Sequence, residues 1–430
     1  MSENEPEKIK ILTLSDHPLS PSGVGTQTKY VIESLLQTGR YKVVSLGGAI
    51  KHEDYRPAWV QPYDNDWLIF PVDGYGDHDK IRSILRKEKP DIVWFMTDPR
   101  FYGWLWEIED EIRAVAPMVY YHVWDNYPYP HFNRQYYESN DVIVSISKVT
   151  NDIVSNVAPN VELHHIPHAV DGDIFKPLDE PAAKMVLREK IMGPTLEEIR
   201  NPDKVVFFWN NRNARRKQSG TLIFWFAEFL DRVGHDKAML VMHTDPKDPN
   251  GQDLSHIIEH LGLTKGQVML SNDKVSPQDL AVMYNAADCT INISDAEGFG
   301  LATLESLSCA TPIIVCMTGG LQEQVTDGEN WFGIGLQPSS RAVIGSQNVP
   351  YIYEDRLNKE EFIDALTKMC DMTAEERSAL GLAGREHTLK NYNFKEFQKQ
   401  WVEAIDSIHE RHGSWENRKN HKRWHLMEVA

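Results

Sequence analysis

At 430 residues the chain is long enough for two domains with separate cores, and its 41% apolar and 10% aromatic fractions suit a globular enzyme. Its 45 Lys and Arg against 63 Asp and Glu leave a formal charge of −18. That balance argues against broad binding to nucleic acid or to an anionic membrane, since both need basic surface; a local basic patch stays compatible with it. Cys289, Cys309, Cys316 and Cys370 show no metal-ligand spacing, and the first three lie in apolar contexts, so reduced buried thiols are expected. Residues 1–8 are acidic and polar without a secretory apolar region, and no run approaches a membrane span, which sets the expectation of a cytoplasmic protein.

Residues 9–14 read as a strand. A loop with two prolines follows, and Gly23-Val24-Gly25 opens an amphipathic helix. The glycines serve either a plain turn or a close approach to a ligand; Thr28 stands where a dinucleotide fingerprint needs its third glycine. Residues 42–46 are a second strand, and 47–80 read as irregular. The D-x-D strings Asp64-Asn65-Asp66 and Asp171-Gly172-Asp173 sit in polar loops and read as solvated, so no metal site is assigned. A helix over 81–89 and a strand over 91–95 come next. The stretches 99–106 and 124–137 are rich in aromatics, which suit core packing or stacking on a flat acceptor. The strand 118–122 ends in His122, with Asp125 just beyond; ligands of open parallel sheets gather outside the carboxyl ends of strands. Strands over 142–145 and 162–166 complete this half.

A charged helical connection over 181–202 leads to the apolar strand 204–209. Directly after it, Arg212, Arg215, Arg216 and Lys217 place four cations in six positions of an acidic chain. Helices over 222–230 and 278–287 alternate with strands over 238–243, 267–270 and 289–293. The string Asp295-Ala-Glu297-Gly298-Phe299-Gly300-Leu301-Ala-Thr-Leu-Glu305 then forms a glycine turn into a helix over 301–310. Glycines let backbone approach a ligand, free amides at a helix start attract phosphate, and carboxylates accept from hydroxyls. A strand over 313–315, the glycine loop Thr318-Gly319-Gly320, a short helix from Leu321, and helices over 360–369, 374–389 and 395–408 close the pattern. The polar, locally basic tail 411–430 reads as solvated by default, with packing on the first domain or contact with a partner as the alternatives.

The 297–305 string resembles the E-G-F-G-x-x-x-x-E signature of retaining glycosyltransferases of family 4, the glycosyl transferases group 1, which have the GT-B fold. The resemblance covers the second half strongly and the first weakly. It implies an α/β chain of two doubly wound Rossmann-like domains facing a cleft: an acceptor-binding domain over 1–177, onto which a C-terminal helix over 395–410 packs back, and a nucleotide-sugar-binding domain over 203–390. It implies that Glu297 and the amides of Gly298, Phe299, Gly300 and Leu301 hold the donor sugar, and that Glu305 holds the ribose. Arg212 and Lys217 match the family's Arg…Lys pair that neutralises the donor diphosphate, with Asn211 where glycine is usual. Gly23 and Gly25 match the first-domain loop that faces the diphosphate. His122 matches a histidine that contacts the donor sugar, with Asp125 beside it, and Lys274 and Val275 fall in the loop that touches the base. His168 and Ala169 stand where Asn and Gly are common.

The expectation is therefore a retaining, metal-independent hexosyltransferase without a cofactor, moving a sugar from a UDP- or GDP-sugar to an acceptor hydroxyl with an alpha linkage. Arg212 and Lys217 would meet the charge on the leaving diphosphate. The acceptor stays open among glycan, lipid, small molecule and modified DNA base. A phage-type enzyme acting on a modified base and an inactive nucleotide-sugar-binding module are the alternatives; the presence of Arg212, Lys217 and Glu297 together speaks against the second. A phosphorylase of the same fold would need phosphate, and the E-G-F-G string speaks against a hydrolysing epimerase.

Overall fold

The computed structural model describes residues 7–178, 184, 188 and 204–421. Residues 1–6, most of the helical connection expected over 181–202, and the basic tail residues Lys422 and Arg423 lie outside the described residues. The chain divides into two compact units: Met1–His168 with Gly345–Pro350 and Lys395–Ala430, and Ala169–Ile344 with Tyr351–Phe394.

Unit 1 is built on β1 (Ile9–Asp16), β2 (Tyr41–Gly48), β3 (Ala58–Trp59), β4 (Trp67–Pro71), β5 (Ile92–Met96), β6 (Met118–His122), β7 (Val142–Ser145) and β8 (Glu162–His165). They form one eight-stranded sheet in the order β3-β4-β2-β1-β5-β6-β7-β8. Every pair is parallel except β3 on β4. The central strands are continuous apolar runs because helices cover both faces of such a sheet. Strand order reverses direction between β1 and β5, so the carboxyl ends of those two strands form this unit's switch point. The helix Phe394–His412 buries Phe397, Trp401, Ile405 and Ile408, which recur at helical spacing. Trp401 sits edge-on to Trp94 and Tyr121, with ring centroids 5.9 and 4.8 Å apart.

Of the two readings of the tail, packing on the first unit rather than solvation holds for its described part. Within the described part, Arg418 donates to Asp141 at 2.7 Å and Trp415 Nε1 to the Pro90 carbonyl at 3.0 Å. A second departure is β4, within a stretch that reads as irregular. Its five residues follow Asp64-Asn65-Asp66 and end in Pro71, which mask a strand in sequence, yet Trp67 is buried and donates to Ser45 at 3.0 Å.

Unit 2 carries β9 (Val205–Asn210), β10 (Ala238–His243), β11 (Val268–Ser271), β12 (Cys289–Asn292), β13 (Ile313–Cys316) and β14 (Gly333–Leu336). They form an all-parallel six-stranded sheet in the order β11-β10-β9-β12-β13-β14. Its core joins Phe207, Trp209, Leu240 and Ile291 of the sheet to Leu222, Phe226, Phe362 and Leu366 of the covering helices. Buried Asp288 ties the approach to the sheet: it accepts from the Val206 amide at 2.8 Å and pairs with Lys184 at 3.0 Å and with Arg188. A separate antiparallel hairpin, β15 (Ser340–Ile344) and β16 (Ile352–Arg356), lies outside that sheet; sequence periodicity does not reveal it, because half of its residues are polar or charged. Among the described residues no helix is long and apolar enough to cross a membrane.

Candidate active site

In unit 2 the strand order reverses between β9 and β12. A parallel sheet opens a crevice at the carboxyl ends of such a strand pair. The two polar stretches singled out in the sequence leave the sheet there: 211–217 follows β9 and 293–300 follows β12.

The first stretch ends in a 3-10 turn, Arg215–Lys217, which is followed by Gln218 in the left-handed region at φ 58°. The turn sends its cations in separate directions. Buried Lys217 makes an ion pair with Glu297 through Oε2. Arg216 donates to the Ala296 carbonyl at 2.6 Å and lies 3.8 Å from the same Glu297 oxygen. Arg215 pairs with Glu354. Arg212 is different: its side chain is 64% exposed and clamped by Asp248, with Nε donating at 2.6 Å and Nη2 at 3.2 Å. The structure thus brings Lys217 and Glu297 together and holds Arg212 on Asp248, while Arg216, a residue the sequence reading did not assign, stands beside Glu297.

Glu297 is nearly enclosed. Asn292 Nδ2 and Ser294 Oγ each lie 3.5 Å from Oε2. Burial alone would raise its carboxyl; the charges of Lys217 and Arg216 outweigh that and hold it below the usual carboxylate range. The loop is kept in place by backbone. Asp295 donates its amide to the Arg216 carbonyl at 2.8 Å, and Gly320 donates to the Glu297 carbonyl at 3.0 Å. Gly319, at φ 50°, leaves no room for a side chain: a Cβ there would meet the Glu297 carbonyl oxygen at 1.7 Å. Gly319 and Gly320 of the loop after β13 therefore touch the site, as the glycine pattern suggests.

Gly298 is half-buried, and Phe299 is a core residue whose ring stands edge-on to Tyr392 at 5.6 Å. Gly300 adopts φ 90° and precedes the helix Leu301–Ser308, whose start carries no side-chain cap. Leu301 is half-buried at its first position. One turn further, Glu305 accepts from Tyr284 OH at 2.7 Å, and Tyr284 in turn accepts from Asn210 Nδ2 at 2.9 Å. Burial lifts the Glu305 carboxyl to about 7 against the opposing pull of Tyr284. Lys274 is exposed and Val275 half-buried in the loop that follows the sheet-edge strand β11.

In unit 1, Gly23 is exposed and Gly25 buried at the start of the helix Gly23–Leu36, and Asp125 is half-buried after β6. His122 departs from the expectation of a ligand contact at an open strand end. It is fully buried, Nε2 shares a 2.8 Å hydrogen bond with Tyr137 OH, and burial lowers its pKa to about 3. Tyr137, fifteen residues on, covers the strand end with its ring 4.8 Å from the imidazole. His122 is a neutral core residue, and no spacing in the sequence announces that partner.

A doubly wound parallel sheet in each unit, with the polar loops of unit 2 at its switch point, defines the GT-B class. Residues 197–387 match the sequence model of the glycosyl transferases group 1. The chain is 26% identical over 270 residues to the GDP-mannose-dependent alpha-(1-6)-phosphatidylinositol monomannoside mannosyltransferase of Mycolicibacterium smegmatis, covering 59% of each chain. It thus spans less than two thirds of that curated relative's length. Among solved structures, the fold resembles sucrose-phosphate synthase from Thermosynechococcus elongatus, with a TM-score of 0.72 at 16% identity over 93% of this chain and 99% of that one. It also resembles Anabaena HepE in complex with UDP and glucose, with a TM-score of 0.66 at 15% identity over 93% of this chain and all of that one (100%). The chain has the GT-B fold, and its second unit is similar to the glycosyl transferases group 1.

Proposed function

We propose that the protein moves a sugar, with retention of configuration, from a nucleotide diphosphate sugar to an acceptor hydroxyl. The single observation that carries this reading is the enclosed Lys217–Glu297 pair at the switch point of unit 2, flanked by Arg216 and by the uncapped helix start at Leu301. A cationic group and free first-turn amides suit a diphosphate. A carboxylate held ionised by its neighbours suits the hydroxyls of a sugar.

In this reading Lys217 and Arg212 meet the diphosphate, and Glu297 orients the sugar through its hydroxyls. Glu305, at the next turn of the helix, accepts from the ribose. The bond from the anomeric carbon to the diphosphate oxygen breaks, and its electron pair goes to the diphosphate. The acceptor oxygen attacks the anomeric carbon from the same face, giving an alpha linkage, and its proton passes to the departing diphosphate oxygen. Lys217 contributes to the extent that it stabilises the charge building on the departing diphosphate more than that of the bound donor. No metal enters the scheme, since side-chain cations and helix amides supply the positive charge. The relatives named above, one GDP-mannose-dependent and one complexed with UDP and glucose, support a UDP- or GDP-sugar as donor.

The test is nucleoside diphosphate release from a panel of UDP-, GDP-, ADP- and dTDP-sugars with EDTA present. Slow release from one donor class is expected. Release that needs added magnesium would overturn metal independence. If no donor is turned over and no nucleotide shifts the melting temperature, the transferase reading fails.

A further inference from the structure

The hairpin β15–β16 is the one antiparallel addition among the described strands of unit 2. An isolated two-stranded hairpin is marginal in water and is normally held by an apolar face on a core. This one is held differently. Of the ten residues in its two strands, only Glu354 is fully buried, at 2% exposure. A buried carboxylate is costly unless paired, so its partners show what the hairpin is for.

Glu354 accepts from Arg215 Nη1 at 2.9 Å and from Arg356 Nη2 at 2.8 Å. Arg356 Nη1 makes an ion pair with Asp295, which is itself only 3% exposed and also accepts from Gln218 Nε2 at 2.7 Å. The backbone joins in: the Asp355 amide donates to the Asp295 carbonyl at 2.9 Å. The result is an alternating row, Arg215–Glu354–Arg356–Asp295, with no net charge. Its two ends belong to the two loops that leave the switch point. Arg215 lies two residues before Lys217, and Asp295 two residues before Glu297.

We propose that the hairpin is a clamp that fixes the distance between Lys217 and Glu297, with Glu354 and Arg356 as positioning residues for the site. Neither reaches the reacting atoms. They act by tying the loop after β9 to the loop after β12, so that the ammonium and the carboxylate are held together before a donor arrives. Such preorganisation acts on the reaction step rather than on the affinity for nucleotide. The consequence for turnover rests on the transferase reading above; the consequence for loop order does not.

The experiment pairs amide hydrogen exchange over residues 212–218 and 293–300 with donor kinetics for Arg356→Ala, Arg356→Lys and Arg341→Ala. Arg341 pairs with Asp355 at 2.8 Å on the exposed side of the hairpin, so its loss perturbs the hairpin without touching the row. For Arg356→Ala, exchange in both loops should rise at least tenfold. Its kcat should fall at least tenfold, while KM for the donor and the affinity for free nucleoside diphosphate stay within threefold. Arg356→Lys should recover part of both effects, and Arg341→Ala should match the wild type. Unchanged exchange in Arg356→Ala overturns the clamp, and so does a kcat no lower than that of Arg341→Ala. If Arg356→Ala does not fold, Glu354→Gln is read by the same criteria. If the wild type turns over no sugar nucleotide, the transferase reading fails and hydrogen exchange alone decides the clamp.

Discussion

Two turns in this protein share one sequence pattern, strand to glycine loop to helix, and the structure finishes them differently. In unit 1 the turn after β1 is closed by its own side chains. Ser22 is the N-cap of the helix Gly23–Leu36; its Oγ accepts from the Gly25 amide at 3.0 Å and donates to Asp16 at 2.6 Å. Tyr75 OH donates to the other Asp16 oxygen at 2.9 Å. In unit 2 the turn after β12 ends at Gly300, which has no side chain to cap the helix Leu301–Ser308. The positive end of that helix carries no side-chain cap, one turn from Glu305 and three residues from Glu297. The pattern alone does not tell a self-satisfied turn from a receptive one; the residue at the cap does.

The sharpest break of this comparison is Lys217→Ala. Removing the cation that faces Glu297 leaves a buried carboxylate without its nearest partner and the diphosphate without its nearest charge. Loss of one preorganised stabilising group typically costs about 10²–10³ in kcat. Turnover should fall by roughly that factor or more, as read by nucleoside diphosphate release, and a variant with wild-type turnover would remove Lys217 from the mechanism.

The two units should also part company with pH. Burial raises the Glu305 carboxyl to about 7 from its ordinary 4.5. Between these values the unfolded chain has lost a proton that the folded chain keeps, so stability falls as pH rises from 4.5 to 7, by at most about 3 kcal/mol. His122 and His168 of unit 1 behave in the opposite sense. Burial lowers both to about 3 from 6.5, so the unfolded chain gains protons first and stability falls as pH drops below 6.5. Thermal melts from pH 4.5 to 8 should show wild type losing stability at both ends. Glu305→Gln should lose less at the alkaline end and more between pH 6.5 and 4.5, where the Glu305 carboxyl of the wild type opposes the histidines; an unchanged alkaline limb would show that Glu305 ionises as an ordinary exposed acid.

Gly300→Ala converts the receptive turn by force. Its φ of 90° is strained for any L side chain, and a Cβ would meet Leu321 Cδ2 at 2.5 Å and Thr303 Oγ1 at 2.8 Å. A cost of about 1–3 kcal/mol is expected from the conformation, together with weaker nucleotide binding as the helix start shifts. Denaturant midpoints and calorimetric titration measure the two separately. Loss of stability without loss of affinity would mean that the helix start is not part of the donor site.

The parts legible in sequence are those with a local period. Strands such as Ala238–His243 and Cys289–Asn292 announce themselves as apolar runs, and the parallel fold follows from their alternation with helices. What stays hidden is set by partners distant in sequence. Nothing near His122 forecasts Tyr137 lying over it, and a strand-terminal histidine reads as ligand-facing until that ring is seen. The family resemblance singles out Arg212 and passes over Arg216, and a loop has no period to tell them apart; the chain after β9 sends Arg216 to Glu297 and Arg212 to Asp248. The hairpin is hidden for the same reason: its buried contacts are charges, and charges in a sequence read as surface.

The gentlest test returns to the closed turn. Ser22→Ala removes the oxygen that occupies the Gly25 amide and releases Asp16 from one of its two donors, but leaves the backbone of the turn intact. Loss of such a cap costs about 1 kcal/mol. The denaturant midpoint should drop by that amount, while affinity for nucleoside diphosphate stays within twofold, because in the wild type Ser22 already supplies what the turn needs. If affinity falls tenfold instead, the turn of unit 1 is receptive too, at Gly23 and Gly25, and the cap residue no longer separates the two turns.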